Sequence, residues 1–372
     1  MIEPQRHLFE IPEDVTYLNC AYLSPLLREA AEAGKLGVDR KLHPWTIVRK
    51  DFFAEVEEVR ALFARLVNAS ADDIAIVPAS SYAAAIAGSN LPLRKNQSAV
   101  VIGREHFSNV YQWQWRCREI GAELLTVPAP ISGNWTQGVL DRIERRTAIV
   151  AVPQCHWHDG LLIDIEAVSA AARSVGAALI VDGTQSVGAM PFDVRSSKPA
   201  FLFCSGYKWL LGPYGLAFLY VDPLFQNGTP LEHHFYNRAG AAEVQSTSGY
   251  TAEFMPGARR YDFGERSNFI TLPIMKVALR QVLDWGPENI QRTLAPLVDT
   301  INRRARELGL NVPAAGCGAS HFTGIRFPVG APTALYDALI AAEIYVSLRA
   351  ETLRISPYLY NSVADIERFL EV

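Results

Sequence analysis

Two chemically complementary side chains, a carboxylate and a primary amine, follow two apolar segments of the chain. Asp182 ends the segment Ala178-Leu-Ile-Val-Asp182, and Lys208 comes shortly after the segment 201–204. Ligand-binding groups of an open α/β sheet collect at the carboxyl ends of its strands, so both side chains are expected at one edge. A desolvated lysine can attack a carbonyl group, and a buried carboxylate can keep a ring nitrogen protonated. Taken singly, however, each residue is typical of a turn or a solvated loop.

The motifs around both residues resemble the class V aminotransferase family, which includes cysteine desulfurases, kynureninase, isopenicillin N epimerase-like proteins and several transaminases. The resemblance rests on Asp182-Gly-Thr-Gln-Ser-Val-Gly-Ala, Ser205-Gly-Tyr-Lys and Gly212-Pro-Tyr-Gly, and it extends from Tyr17-Leu-Asn-Cys-Ala to Arg354-Ile-Ser-Pro-Tyr-Leu-Tyr-Asn. Members use pyridoxal 5′-phosphate (PLP) and adopt the fold called type I. The resemblance therefore implies a PLP-dependent enzyme that acts on a small-molecule substrate, an amino acid.

Five residues of these motifs would contact the cofactor if they act as their family counterparts do. Lys208 would hold PLP as a Schiff base, and Asp182 would pair with the protonated pyridine nitrogen. Gln185 would donate a hydrogen bond to the phenolic oxygen of the ring. Ser205 and Tyr207 would reach the phosphate. Family members often carry His where Tyr207 stands, and a phenol can donate the same hydrogen bond.

A second group of expected cofactor ligands precedes these motifs. Ser80 and Ser81 lie between the strand-like segment 74–77 and an Ala-rich helical segment, where the family has its Gly-Thr-Thr phosphate loop. Hydroxyl and free N–H groups at a helix N-terminus favour an anion, although a Ser that only caps the helix is the commoner arrangement. His106, in Gly103-Arg-Glu-His, matches the family residue that stacks on the cofactor and in some members transfers a proton. A loop histidine without a role is the alternative.

Two further residues are expected to contact the substrate. Arg354 precedes Ile-Ser-Pro, where the family holds the guanidinium that binds the substrate carboxylate in a two-pronged geometry; a surface ion pair is the alternative. Trp157 stands where many relatives have a Ser-Asn pair, so we expect an aromatic wall that suits an aromatic or otherwise bulky amino acid. His156 and His158 have a spacing that could bind zinc, but the sequence places no third ligand, so we predict no metal site.

The segment 264–268, Gly-Glu-Arg-Ser-Asn, matches the part of the family that crosses the dimer interface to the neighbour's phosphate. Many relatives have Gly-Thr there. Because a Glu replaces that Thr, the contact would have to come from Ser267 or Asn268. The resemblance thus implies a homodimer with active sites at the interface, and Asn268 is predicted to bind the cofactor.

The motifs do not specify the reaction. A transaminase is favoured slightly over a C–S or C–C lyase, and an epimerase stays open. A cysteine desulfurase is less favoured, because the segment 345–354 ahead of the carboxylate-binding arginine contains no cysteine, and Cys317 is better explained by a turn. A non-catalytic PLP-fold binding protein would be an answer of another class, but the complete set of catalytic motif residues argues against it.

The fold class follows from apolar strand patterns that alternate with helical patterns, the rhythm of an α/β protein. The predicted strands are 74–77, 99–102, 123–127, 147–152, 178–181, 201–204 and 216–221. Several are continuously apolar, as in a sheet covered on both faces. With fold type I, we expect a large PLP-binding domain (15–260) around a mainly parallel seven-stranded sheet, and a smaller α+β domain built from 1–14 and 261–372.

Composition restricts the partners and the setting. A net charge of −4 without a run of basic residues gives no reason to expect nucleic acid as a partner. The five cysteines are scattered without a C-x-x-C pair, which favours reduced thiols. The sequence begins without an apolar signal segment and has no uncharged apolar run of membrane-spanning length. We therefore predict a cytoplasmic protein that does not bind a membrane.

Overall fold

The computed structural model describes residues 1–130, 133–243 and 250–372. Helices and strands alternate along most of this length. The strands are β1 (Thr16–Tyr17), β2 (Ile74–Val77), β3 (Ser98–Ile102), β4 (Glu123–Val127), β5 (Thr147–Pro153), β6 (Ala178–Asp182), β7 (Phe201–Ser205), β8 (Ala217–Val221), β9 (Thr323–Arg326), β10 (Ile344–Tyr345), β11 (Ser347–Arg349) and β12 (Thr352–Ile355). The helices are α1 (Arg28–Leu42), α2 (Ala54–Leu66), α3 (Ser80–Asn90), α4 (Phe107–Ile120), α5 (Trp135–Leu140), α6 (Ile165–Ser174), α7 (Val194–Ser197), α8 (Thr271–Trp285), α9 (Pro287–Glu307), α10 (Thr333–Ala341) and α11 (Val363–Glu371).

The central sheet has seven strands in the order β2-β8-β7-β6-β5-β3-β4. Strand β8 runs antiparallel to both of its neighbours, and the other pairs are parallel. Every residue of β2, β3, β5, β7 and β8 is buried, because helices cover both faces of the sheet. The prediction of a mainly parallel seven-stranded sheet is therefore confirmed.

The register of β6 and β7 brings the two chemically important strand ends together. These strands are parallel neighbours, and Asp182 lies level with Phe203. Because both strands end at the same edge, Asp182 and the turn that carries Lys208 leave the sheet side by side. This is the edge at which open α/β sheets bind their ligands.

Two smaller sheets complete the fold. Strands β11, β12 and β9 form an antiparallel sheet, and β1 pairs in parallel with β10. Residues 16–17, which the predicted boundaries put in the large domain, thus pair with a strand of the C-terminal part. The division into domains 15–260 and 1–14 with 261–372 remains a prediction.

Two glycines let α1 pack closely against α8 and the residues that lead into it. A Cβ at Gly37 would clash with the backbone carbonyl of Phe269, whereas a Cβ at Gly34 would meet the side chain of Ile274 at 2.7 Å. A backbone group can move less than a side-chain end, so Gly37 is the stricter requirement. Within the described residues, no helix combines the length and apolar character that crossing a bilayer requires.

A buried ion cluster anchors the strand that leads to Ser80. Asp262 accepts hydrogen bonds from Arg60 at 2.7 and 3.0 Å and from the backbone N–H of Ile76 at 2.8 Å. Arg266 lies 2.8 Å from the same carboxylate, and all three charged side chains are fully buried. Removing one member of such a cluster leaves an uncompensated buried charge, which costs about 3–5 kcal/mol. The cluster thereby fixes the position of β2 and of the turn into α3.

Candidate active site

Lys208 is a buried amine at the carboxyl edge of the sheet. Its side chain forms no hydrogen bond or ion pair with any described residue and is 7% exposed. Burial is the main cause that lowers the pKa of Lys208 from its usual 10.5 to about 8, and the positive charge of Arg354 adds to this, while Asp182 opposes it. In a substantial fraction of the protein molecules, the Lys208 side chain is therefore an uncharged, nucleophilic amine near neutral pH.

Asp182 lies beside this lysine as a buried carboxylate. One carboxylate oxygen accepts a hydrogen bond from the backbone N–H of Thr184 at 2.8 Å, which fixes the direction of the side chain. Asp182 and Lys208 line the same inner cavity. A carboxylate in this position can keep the nitrogen of a bound heterocycle protonated.

Another part of the wall of the inner cavity is rich in hydroxyl groups. Ser80, the first residue of α3, has its Oγ 2.6 Å from Oγ of Ser205 and 3.4 Å from Oγ1 of Thr184. Thr184 also accepts a hydrogen bond from the backbone N–H of Ser205 at 3.2 Å. Hydroxyl groups gathered at a helix N-terminus can bind a phosphate. Ser81, predicted to join them, is exposed and does not line the cavity.

Gln185 and Tyr207, two other predicted cofactor ligands, also line this cavity. The side chain of Gln185 is hydrogen-bonded to other groups of the protein. The Gln185 amide donates to the carbonyl of Ala21 at 3.0 Å and accepts from the indole of Trp209 at 2.8 Å. These two bonds fix the plane of the amide at the cavity wall. The ring of Tyr207 lies 4.6 Å from that of Tyr214, and Tyr207 lines the cavity as well.

A strained turn before α4 positions His106. Arg104 adopts a left-handed backbone conformation with φ 57°, which is unfavourable for a residue with a side chain. Its carbonyl group is contacted by the ring of His156 at 3.1 Å and accepts from the indole of Trp157 at 2.7 Å. His156 also contacts Asp159 at 2.7 Å. The loop that carries His156 and Trp157 therefore holds the turn at Arg104 in place.

His106 lies at the junction of the inner cavity with a second, outer cavity. Its ring packs edge-on against Trp157 with 5.7 Å between the centroids. Burial lowers the pKa of His106 below its usual 6.5, and the charges of Lys208, Arg349 and Arg354 add to this, while Asp182 opposes it. The imidazole is therefore neutral at neutral pH and can accept a proton.

Sequence reasoning missed Glu105, a buried carboxyl group that lines the inner cavity. One of its oxygens accepts from the backbone N–H of His106 at 2.5 Å, and the other has no partner among the described residues. Burial raises the pKa of Glu105 to about 8, with Asp182 adding to the effect and His156 opposing it. Glu105 is thus a neutral acid at neutral pH. Its position beside His106 was the only signal in the sequence.

The outer cavity, of about 500 Å³, is lined by the guanidinium of Arg354. Arg354 is 1% exposed, donates to the carbonyl of Trp157 at 2.7 Å, and has an Nε without a partner among the described residues. Burial, and then the charge of Arg349, lowers the pKa of Arg354 to about 9, so it stays a cation at neutral pH. The two cavities share His106, Trp157, Tyr207 and Lys208.

The remaining predicted ligand, Asn268, lies apart from both cavities. It is exposed, and its side-chain oxygen accepts from the backbone N–H groups of Ile270 and Thr271 at 2.9 and 3.0 Å, at the start of α8. Ser267 instead donates to the carbonyl of Phe52 at 2.6 Å. The chain does not bring Asn268 to its own Lys208.

Three cysteines near the site are buried thiols. Burial raises the pKa of Cys20, Cys155 and Cys204 above the usual 9.0. A thiol must ionise to act as a nucleophile, so these three are unreactive. Cys317 lies elsewhere, in the turn where its carbonyl accepts from Leu162 at 2.8 Å.

These groups match the functional groups of PLP one by one. Lys208 offers an amine for the aldehyde, Asp182 a carboxylate for the ring nitrogen, and Ser80 and Ser205 hydroxyl groups for the phosphate. Amine, carboxylate and hydroxyl groups line one continuous inner cavity. The residues present therefore fit this cofactor.

Comparison with known proteins agrees with this chemistry. The family model for aminotransferase class V matches residues 38–305. A probable cysteine desulfurase of Methanothermobacter thermautotrophicus is 35% identical over 203 residues, an alignment that covers 54% of this chain but only 50% of that relative. The uncharacterized aminotransferase YcbU of Bacillus subtilis is 25% identical over 371 residues, which cover 99% of this chain and 96% of that protein.

Solved structures share the whole fold. The apo cysteine desulfurase of Thermococcus onnurineus has a TM-score of 0.83 at 20% identity, with 100% of this chain and 97% of that chain covered. A mutant of C-DES with glycine covalently linked to its PLP cofactor has a TM-score of 0.89 at 17% identity, covering 99% and 98%. The fold, the family match and the groups of the inner cavity all agree, and the chain belongs to the aminotransferase class-V family of PLP-dependent enzymes.

Proposed function

We propose that this enzyme is an aminotransferase, which moves the amino group of an amino acid to a keto acid. The observation that carries the proposal is the junction at Lys208, where the inner cavity with Asp182 meets the outer cavity with Arg354. The inner cavity would hold the cofactor and the outer cavity the amino acid. The reacting amino group would then lie next to the Lys208 amine.

Bound PLP supplies an aldehyde that captures an amine and a ring that accepts electrons from the neighbouring carbon. Ser80, Ser205 and Thr184 would hold its phosphate. Asp182 would hold a proton on its ring nitrogen, because a carboxylate buried beside a cation stabilises the protonated form. Lys208 would be its covalent attachment point.

Arg354 would orient the substrate and Lys208 would move its α-proton. Arg354 has unused donors, and a guanidinium grips a carboxylate with two parallel hydrogen bonds. Fixing that carboxylate turns the α-carbon towards Lys208, which lines the same cavity. A lysine with a pKa of about 8 is suited to take up and return a proton near neutral pH.

A C–S or C–C lyase is the second candidate, and one observation favours it. The ring of His106 lines both cavities next to Lys208, so it could take up a proton and pass it to a group that leaves the substrate. A transaminase needs no such second group. The two reactions differ in whether a keto acid is required for turnover.

A cysteine desulfurase is less favoured. The segment 345–354 contains no cysteine, and the thiols nearest Lys208 are buried and protonated. Cys317 is partly exposed but lines neither cavity. Incubation with cysteine is therefore expected to leave no persulfide on the protein, and a sulfur adduct in its mass spectrum would contradict this ranking.

We further infer a homodimer that works in the cytoplasm. Large apolar side chains are exposed on α4 and on the turn after α1, among them Trp45, Tyr111 and Trp115. Asn268 lies on the surface of its own chain, where a partner's phosphate could meet it. Five unpaired cysteines suit a reducing compartment. A monomer in sedimentation equilibrium that still binds PLP tightly would contradict the dimeric site.

The test is to record the visible absorbance of the purified enzyme while single amino acids are added, with Lys208→Ala as the control. An aminotransferase predicts that one amino acid converts the cofactor band stoichiometrically and that a keto acid restores it. A lyase predicts that the band returns without an added keto acid while fragments of the cleaved amino acid accumulate, such as ammonia, a keto acid and sulfide from a C–S lyase. A wild-type protein without a visible band after addition of PLP would contradict both.

A further inference from the structure

A second arginine lines the outer cavity together with Arg354. In the hairpin of β11 and β12, Ser347 pairs with Arg354 and Arg349 pairs with Thr352. Side chains alternate along a strand, so the residue two positions after Ser347 projects from the same face as Arg354. Arg349 and Arg354 are therefore diagonal neighbours on the face that lines the cavity, with α-carbons about 7–8 Å apart.

Among the described residues, no anion balances the charge of Arg349. It forms no hydrogen bond or ion pair with a described residue, and its Nε is buried without a partner. The one acid in this hairpin turn, Glu351, is engaged elsewhere, with Arg104 at 2.6 Å and Arg326 at 3.5 Å. The carboxylate of Glu351 thus neutralises other arginines and leaves the cavity positive.

Two aromatic rings hold the Arg349 guanidinium in place. Its central carbon lies 5.4 Å from the ring centre of Tyr22 and 5.7 Å from that of Trp157. Contacts with ring faces orient a guanidinium without using its N–H donors. The donors of Arg349 therefore remain free for a ligand in the cavity.

The charge of the cavity calls for two negative groups. Arg349, Arg354 and Lys208 line it, His106 is neutral, and the carboxylate of Asp182 lies in the inner cavity. The α-carboxylate of a substrate balances Arg354 only. An uncompensated cation in a partly buried site attracts a second anion, and a bond to a charged group is worth about 10-fold or more in affinity.

We propose that Arg349 forms a second anion subsite, which selects amino acids whose side chain ends in a carboxylate. The inference rests on the proposed function in one respect, namely that Arg354 binds the α-carboxylate. Trp157 and Tyr22 would line the path between the two carboxylates. The preferred substrate is then an acidic amino acid rather than a purely apolar one.

The test compares two unreactive acids of equal length, glutarate and valerate, by calorimetric titration of the holoenzyme. Glutarate has two carboxylates and valerate has one. We expect glutarate to bind about 10-fold tighter or more to the wild-type enzyme. In Arg349→Gln the two acids should bind alike while valerate affinity is unchanged, and in Arg354→Gln valerate affinity should be lost.

Two results would overturn the proposal. One is equal affinity of the two acids for the wild-type enzyme, which requires no variant. The other is an equal loss of affinity for both acids in Arg349→Gln. It would mean that Arg349 only supports the cavity wall or binds the α-carboxylate together with Arg354. Neither acid carries an amine, so this result is independent of the reaction, and a failure of the proposed aminotransferase activity would appear only in the absorbance titration.

Discussion

The charge of Arg354 helps to make Lys208 reactive, so replacing Arg354 should make the lysine more basic. Burial and Arg354 lower the pKa of Lys208 from 10.5 to about 8, and Asp182 acts in the opposite direction. With these values, about half of the amine is uncharged at pH 8, compared with about 0.3% for an unperturbed lysine. Arg354→Gln should move the midpoint of the Lys208 titration above pH 8, and Asp182→Asn should move it below pH 8.

The assay measures the titration of Lys208 directly in the protein freed of cofactor. Trace acetylation with limiting acetic anhydride between pH 6 and 11, followed by mass spectrometry, gives the reactivity of Lys208 relative to an added reference amine. Arg304→Gln, which changes an exposed arginine on α9, is the matched control and should leave the midpoint where it is. Retained absorbance of rebound PLP verifies that each variant is folded.

The two variants are predicted to shift the pKa of Lys208 in opposite directions, and this difference in sign is the most stringent test of the prediction. A wild-type midpoint near 10.5 would refute the statement that the site desolvates the amine. A shift of Arg354→Gln and Asp182→Asn in the same direction would refute the electrostatic account, because a lost cation and a lost anion must act oppositely on one amine.

Three further predictions test the packing and the pocket. Asp262→Asn should lower the free energy of unfolding by about 3–5 kcal/mol in urea titration, because the buried Arg60 and Arg266 both lose the Asp262 carboxylate; a loss under 1 kcal/mol would argue against the cluster as an anchor of β2. Gly37→Ala should destabilise more than Gly34→Ala in the same assay, since it meets a backbone carbonyl rather than a movable side chain; the reverse order would be inconsistent with the helix packing described. Trp157→Ala should broaden substrate preference towards smaller amino acids, and an unchanged preference would show that the indole is not a specificity wall.

The strands of the central sheet were predictable because most are apolar runs too short for a helix. The predictions for β2 and β4 match their observed bounds, Ile74–Val77 and Glu123–Val127, and the other five strands of the sheet begin and end within one residue of the predicted positions. The placement of Asp182 and Lys208 at strand ends followed from the same runs. Helix α1 was not anticipated, because its buried face uses Ala30, Gly34 and Gly37 instead of large apolar residues.

The sequence by itself determined the pair Lys208 and Asp182, since the ends of neighbouring parallel strands must meet at one edge. Only the tertiary structure revealed that Glu105 is buried beside Asp182, that Ser81 faces away from the cavity, and that Arg349 shares a cavity with Arg354. The burial of Glu105 depends on the removal of water, and the direction of Ser81 depends on which face of α3 it occupies. The position of Arg349 depends on the register of the hairpin formed by β11 and β12. Each of the three is decided by packing between distant segments, which local patterns do not encode.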